Sequence, residues 1–271
     1  MSTFVRDAVT VWNRELIRLY RSKSRLLTSL MQPILWLVLF GTVFNQMFSP
    51  SSASLPPGTP SYSPFGAVDA KSFLVPGIVA MTVLFGSIFS GIGVIFDREF
   101  GFLKEMLVAP VSRTSIVAGK ALGGSTSAVI GGVIILGLST LIGARFTPSL
   151  PLAVAVLLAF LTVLLLSFGF VMLGIAAASK ITSMEGFQMV MNFLVMPMFF
   201  VSSAFYPVAM MPGWLQSMTY INPMFYGVDA LRNCINGSTV ATLPLWQDLS
   251  VLLGFTVVMT ALAVYLFRQS E

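Results

Sequence analysis

Residues 96–120 read FDREFGFLKEMLVAPVSRTSIVAGK, and the rest of the chain is organised around them. The stretch holds seven of the chain's 25 charged side chains, with nearly uncharged apolar sequence on both sides. At 100° per residue Phe96, Phe100, Leu103 and Leu107 share one helical face, and Asp97, Arg98, Lys104 and Glu105 share the opposite one. Pro110 cannot continue a helix and disfavours helical geometry at Ala109, which predicts a stop near Val108. A short amphipathic helix between two membrane spans is either a strip lying among headgroups or a rigid piece that a soluble partner grips.

The surrounding composition is that of a membrane. Hydrophobic residues make up 56% of 271 and charged ones only 9%, against about 25% charged in soluble domains. The apolar runs are continuous rather than alternating, which excludes a β-barrel and predicts an all-α integral membrane protein. The excess of +5 sits beside apolar spans rather than on a soluble face, so no nucleic-acid partner is implied. The single cysteine, Cys234, cannot form an internal disulfide.

Upstream of the organising stretch, span two is predicted at 72–96 and span one at 27–48, since a bilayer core takes roughly 20 apolar residues. The Ser-, Pro- and Gly-rich segment between them reads as an irregular loop. Residues 1–26 form a basic amphipathic helix: Phe4, Val5, Ala8, Val9, Trp12, Leu16 and Leu19 face one way, and Arg6, Arg14, Arg18 and Arg21 the other. Such a helix is expected in the interface with its cations on anionic lipid headgroups, and no cleavable signal is expected before the first span. Downstream, span three (117–142) is rich in glycine, span four covers 151–178, and span five (187–205) contains Pro197. Residues 207–237 are apolar but broken by Pro207, Pro212 and Pro223, and read as short helices re-entering the outer leaflet. Span six covers 249–267. This makes six spans in one transmembrane domain, 27–271. With both termini in the cytoplasm, twelve basic residues lie inside and three outside, as the positive-inside rule asks.

The chain lacks a phosphate-binding G-x-x-x-x-G-K-[ST] loop, so it is not expected to hydrolyse ATP itself. It also lacks histidine, which removes most zinc sites and the Ser–His dyad. No paired carboxylates mark an intramembrane aspartyl protease, and no metal site is expected. The predicted spans carry no ionisable residue at their centres, where ion-coupled carriers place a carboxylate. This argues against an ion-coupled secondary transporter, the competing class; a membrane scaffold is a third. Asp229 and Arg232 are spaced to pair on one helix face. They either neutralise each other in a dry site or touch a substrate. Span five offers Met191, Phe193, Met196, Met198, Phe199 and Phe200, with polar Asn192, Ser202 and Ser203 and the kinking Pro197. This surface serves helix packing or a pliable substrate pathway.

Two stretches resemble ABC-2 type export permeases. The pattern RE-x-x-G-x-L-x-E-x-L-x-x-P-V-S-R, with a slightly shorter start, is matched from Arg98 to Arg113, with Gly101, Leu103, Glu105, Leu107, Pro110 and Arg113 in place. P-x-x-F-x-S-x-x-F-Y-P-x-x-x-x-P-x-W-L followed by N-P-x-x-Y-x-x-D-x-x-R runs from Pro197 to Arg232, with Ser203 where the family often has glycine, a small-for-small exchange. The resemblance covers essentially the whole chain. It implies a coupling helix (residues 97–108) carrying the ATPase contacts, with Phe96 and Phe100 added to its apolar face. It also implies two copies of a separate cytoplasmic ABC ATPase holding ATP and Mg, a second permease chain paired along spans one and five, and a bacterial cytoplasmic membrane. The permease itself would bind no cofactor. Family cargo ranges from drugs and antibiotics to glycolipids and polysaccharides. The small outer loop and apolar pathway favour a hydrophobic or amphiphilic small molecule.

Overall fold

The computed structural model describes residues 3–48, 68–101 and 111–270, and ten α-helices account for most of them. They are α1 (Thr3–Arg21), α2 (Lys23–Phe48), α3 (Ala70–Ile88), α4 (Ile92–Glu99), α5 (Arg113–Leu141), α6 (Leu152–Lys180), α7 (Met184–Phe200), α8 (Gly213–Ile221), α9 (Pro223–Asn236) and α10 (Leu245–Ser270). No strand occurs among the described residues. Four segments are long and apolar enough to cross a membrane: Ala70–Glu99, Arg113–Leu141, Leu152–Lys180 and Leu245–Gln269. Two further apolar helices, Leu30–Phe44 within α2 and Met184–Phe200, fall at the places expected of spans one and five but are shorter.

The helices begin where the sequence supplies caps. Ser112 Oγ accepts the Ser115 N–H at 3.1 Å, Ser183 Oγ the Gly186 N–H at 3.2 Å, and Asn222 Oδ1 the Met224 N–H at 3.0 Å. Proline at the first position of α9 costs that helix no internal hydrogen bond. The axis of the bundle is α3, which packs on α2, α5, α6 and α9. Its apolar segment is 72% buried, against 17% for α10. The exposed α10 surface (Leu253, Val257, Val258, Leu262) would be an aggregation-prone patch in water and suits an apolar surrounding. Behind it Gly169 of α6 lets the Phe255 ring approach within van der Waals distance, and Thr256 Oγ1 donates to Leu165 O at 3.0 Å.

Two expectations are corrected. Span two does lie within one continuous apolar segment, Ala70–Glu99, in which a 3-10 turn at Phe89–Gly91 separates α3 from α4. The cause is backbone contact, since a Cβ at Gly91 would lie 2.6 Å from Gly174 O of α6 and a Cβ at Gly174 2.7 Å from Ile88 O. Span five ends at Phe200 rather than 205, because the chain turns through Ser203 at φ 62° before Pro207. The helix expected through residues 97–108 also does not run on from span two: α4 stops at Glu99 and Gly101 takes φ 79°, the left-handed conformation glycine tolerates best. Residues 102–110, including Leu103, Glu105, Leu107 and Pro110, lie outside the described residues. Residues 207–237 do form short helices, a 3-10 turn at Val208–Met210 followed by α8 and α9.

Candidate functional site

The last turn of α4 ends in a cluster of charges that sequence reading did not assemble. Asp97, with 5% of its side chain exposed, receives Lys120 Nζ of α5 on its Oδ2. The same oxygen accepts from Arg14 of α1 at 2.7 Å, and Arg18 of α1 stands 3.8 Å from Oδ1. Lys120, equally buried, also donates to Gly93 O at 3.4 Å and lies 3.9 Å from Glu15. One carboxylate therefore ties together α1, α4 and α5. A lysine ammonium in a dry seam would be costly alone, and Asp97 compensates it with direct contact.

The seam exists because α5 carries small residues there. A Cβ at Gly119 would lie 2.5 Å from Val11 Cβ, and one at Gly123 2.4 Å from Glu15 Cβ, so α1 lies flush on α5. Trp12 Nε1 donates to Thr126 Oγ1 at 3.2 Å on the same line. The face that docks is thus Ala8–Val11–Glu15, while Phe4 and Val5 of the apolar stripe stay exposed. Arg14 and Arg18, expected on lipid headgroups, reach Asp97 and keep about 40% of their side chains exposed. Phe96 and Phe100 stack at 6.0 Å between centroids, and Phe100 is exposed at the point where the chain leaves α4. Arg98 reaches Ala178 O of α6 at 3.4 Å.

The residues proposed for a substrate pathway divide in two. Phe187, Met191, Val195 and Phe199 form the buried face of α7. Phe199 sits in an aromatic cluster with Trp36 at 6.3 Å, Phe85 at 6.5 Å and Phe205 at 5.0 Å between centroids. Asn192, Phe193, Pro197 and Phe200 lie on the opposite, exposed face together with Met189 and Met196. Ser202 Oγ donates to Phe199 O at 2.6 Å and Ser203 Oγ to Tyr206 O at 3.0 Å, so both hydroxyls are used inside the turn.

Asp229 and Arg232 do pair, at 3.6 Å, and both are almost wholly buried. Around them α9 is packed on every side, with all residues from Met224 to Asn236 buried. Asp229 accepts the backbone N–H groups of Thr242 and Leu243 at 2.8–2.9 Å. Arg232 donates to Ser203 O at 2.8 Å and to Ser203 Oγ at 3.3 Å, and its guanidinium lies 4.1 Å from the Phe73 ring centroid. Asn236 adds a bond to Ser72 O at 2.9 Å. The pair fastens the α7–α8 turn, α9, the loop before α10 and the start of α3 into one block. Ser203 itself sits at a positive φ of 62°, so a glycine there would differ in conformational freedom more than in size.

The missed residues had one usable signal. Glycines at 119 and 123 around a lone lysine, close to Asp97 at the end of an apolar run, mark a helix seam with a buried counter-charge. Nothing in the spacing shows that α1 supplies the partner helix.

Comparison with known proteins agrees with this architecture. The family model "ABC-2 type transporter" matches residues 6–236, from α1 to the end of α9. The ycf38 transport permease of Cyanophora paradoxa is 30% identical over 234 residues, covering 84% of this chain and 74% of that protein. The probable multidrug ABC transporter permease YbhR of Escherichia coli K12 is 27% identical, covering 74% of this chain and 54% of its own. The inner membrane transport permease YadH of the same organism is 23% identical over 92% of this chain and 89% of its own. Three of the four long apolar segments and the packed α8–α9 region fall within the matched span, and the chain belongs to the ABC-2 type transporter family, as the transmembrane subunit of an ABC transporter.

Proposed function

We propose that this chain exports a hydrophobic or amphiphilic small molecule, paired with a second copy of itself and driven by two separate cytoplasmic ATPase subunits that hold ATP and Mg. The observation that carries the reading is the Asp97 cluster. It joins the last turn of α4, directly before residues 102–110, to both α1 and α5. A partner that pushes on Leu103, Glu105, Leu107 and Pro110 would therefore move three helices together rather than bend one loop. The exposed Met189, Phe193, Met196 and Phe200 of α7 supply an adaptable apolar wall where a second copy and a cargo would meet. The name of the YbhR relative supports a drug-like cargo. The relative named as an inner membrane permease supports a bacterial cytoplasmic membrane with the α1 end inside.

The test is co-purification and turnover. Leu103→Asp and Leu107→Asp each remove an apolar contact worth about 1.5–3 kcal/mol and place a carboxylate in it. Both permeases should insert normally yet lose the ATPase and ATP-driven efflux of amphiphilic dyes from inverted vesicles. Undiminished ATPase capture and efflux in both variants would overturn the coupling role. Efflux that follows an imposed ion gradient without ATP would favour a secondary transporter instead.

A further inference from the structure

A cavity of about 630 Å³ opens beside the Asp97 cluster, bounded by α1, α2, α3, α4, α5 and the start of α7. Its size is within the roughly 300–1,000 Å³ of small-molecule sites. It is charged at one end, at Glu15, Arg18 and Lys120, and uncharged at the other. Gly93 marks the polar end, where Lys120 Nζ bonds its carbonyl and a Cβ on it would lie 3.8 Å from the Arg18 guanidinium. Thr82 marks the other, against Gly131. Along α3 and α4 these levels are separated by roughly 16 Å at 1.5 Å per residue. Met81, Phe85 and Phe89 line the wall between them, the two rings stacked at 6.2 Å.

The polar end offers one buried acceptor without a donor and one cation with room for a further partner. Glu15 Oε1 is buried and accepts no hydrogen bond from any described residue, its nearest cations standing at 3.5 and 3.9 Å. Arg18, one turn further along α1, reaches Asp97 at 3.8 Å, beyond hydrogen-bond length, and keeps 42% of its side chain exposed. Lys120 is already engaged by Asp97. A purely anionic head would satisfy Arg18 and leave the Glu15 oxygen bare beside a like charge. A purely cationic head would satisfy Glu15 against Arg18 and Lys120. A head carrying both an anion and an N–H donor meets both.

We propose that this cavity binds a zwitterionic amphiphile with a primary amine, drawn from the membrane leaflet on the α1 side. Its anionic group sits on Arg18, its amine on the Glu15 carboxylate once that carboxylate turns into the cavity, and its tail lies along Met81, Phe85 and Phe89. A quaternary ammonium has no N–H for Glu15 and binds less well. Gln188 at the start of α7 also lines the cavity, and binding there can be measured without the ATPase.

The experiment uses purified full-length permease in phosphatidylcholine nanodiscs. The probe is lysophosphatidylethanolamine with a diazirine in its chain, and adducts are mapped by peptide mass spectrometry. Adducts are expected within residues 81–93 and 120–131. Unlabelled lysophosphatidylethanolamine should displace the probe about tenfold more effectively than lysophosphatidylglycerol or lysophosphatidylcholine, the worth of one charge-assisted hydrogen bond. Glu15→Gln should erase that preference, and Ser127→Phe, which puts a ring into the cavity from its wall, should remove the adducts. Equal displacement by all three lipids, or adducts confined to lipid-facing α6 and α10, would overturn the assignment. The displacement series uses the unmodified protein, so it decides the matter even if a variant fails to fold.

Discussion

The two buried ion clusters of this permease stand at opposite ends of the bundle and are built differently. At the α4 end, Asp97 is held almost wholly by side chains, from Arg14 and Arg18 on one helix and Lys120 on another. At the α9 end, Asp229 is held chiefly by backbone N–H groups of residues 242 and 243, and Arg232 chiefly by the Ser203 carbonyl. Side-chain ties across helices can stretch and re-form as helices shift, and two of the three cations at Asp97 are about 40% exposed and stay partly hydrated. Backbone ties fix loop geometry and tolerate little movement. The first suits a joint that transmits a push, and the second suits a fixed block against which the bundle moves.

The sharpest way to break this comparison is to remove one partner from the rigid block. Asp229→Ala strands a buried guanidinium and frees two loop N–H groups, and Arg232→Ala strands a buried carboxylate. Each should cost about 3–5 kcal/mol, seen as loss of folded protein or a large drop in thermal midpoint in detergent. Unchanged stability in both would mean the block is not a structural fastening. The double replacement should be less harmful than the two single costs added, because neither charge is then left alone.

Asp97→Asn should come next. Only Lys120 is left stranded in a dry site, since Arg14 and Arg18 can turn to water, so the loss of stability should be about 2 kcal/mol. Its larger consequence lies in function: ATP turnover by the bound ATPase should persist while cargo movement falls. Raising ionic strength should mimic the defect weakly in the parent protein, through the two half-exposed arginines, and leave the α9 end untouched. Transport and turnover falling in strict proportion would reduce Asp97 to a packing role.

The two clusters were unequally legible in the sequence. Asp229 and Arg232 lie three residues apart on one short helix, so their pairing follows from helical geometry alone. What held them from outside, the N–H groups of 242 and 243 and the Ser203 carbonyl, depends on loop paths that no periodicity encodes. Asp97 meets partners 83 and 23 positions away, and only the tertiary docking of α1 on Gly119 and Gly123 brings them together. The apolar runs located the long helices well because burial in lipid or protein demands continuous hydrophobicity. Their interruptions were illegible, since the turn at Phe89–Gly91 arises from backbone contact with Gly174, and the end of α4 from the conformation of Gly101.

The smallest expected effect sharpens the account of the rigid block. Ser203 holds φ 62°, a conformation that costs a non-glycine residue roughly 1–2 kcal/mol. Its hydroxyl returns part of that through the bonds to Tyr206 O and Arg232, each worth about 1 kcal/mol. Ser203→Gly removes the strain and the hydroxyl together, and the two nearly cancel. Its backbone carbonyl still accepts from Arg232, so the thermal midpoint should shift by no more than a few degrees in either direction. Ser203→Ala keeps the strain and loses the hydroxyl, and should be the less stable by about 1–2 kcal/mol. If alanine proved equal to glycine, the left-handed turn would be irrelevant to stability. The tie from Arg232 to the Ser203 backbone would then rest on the carbonyl alone, whatever residue carries it.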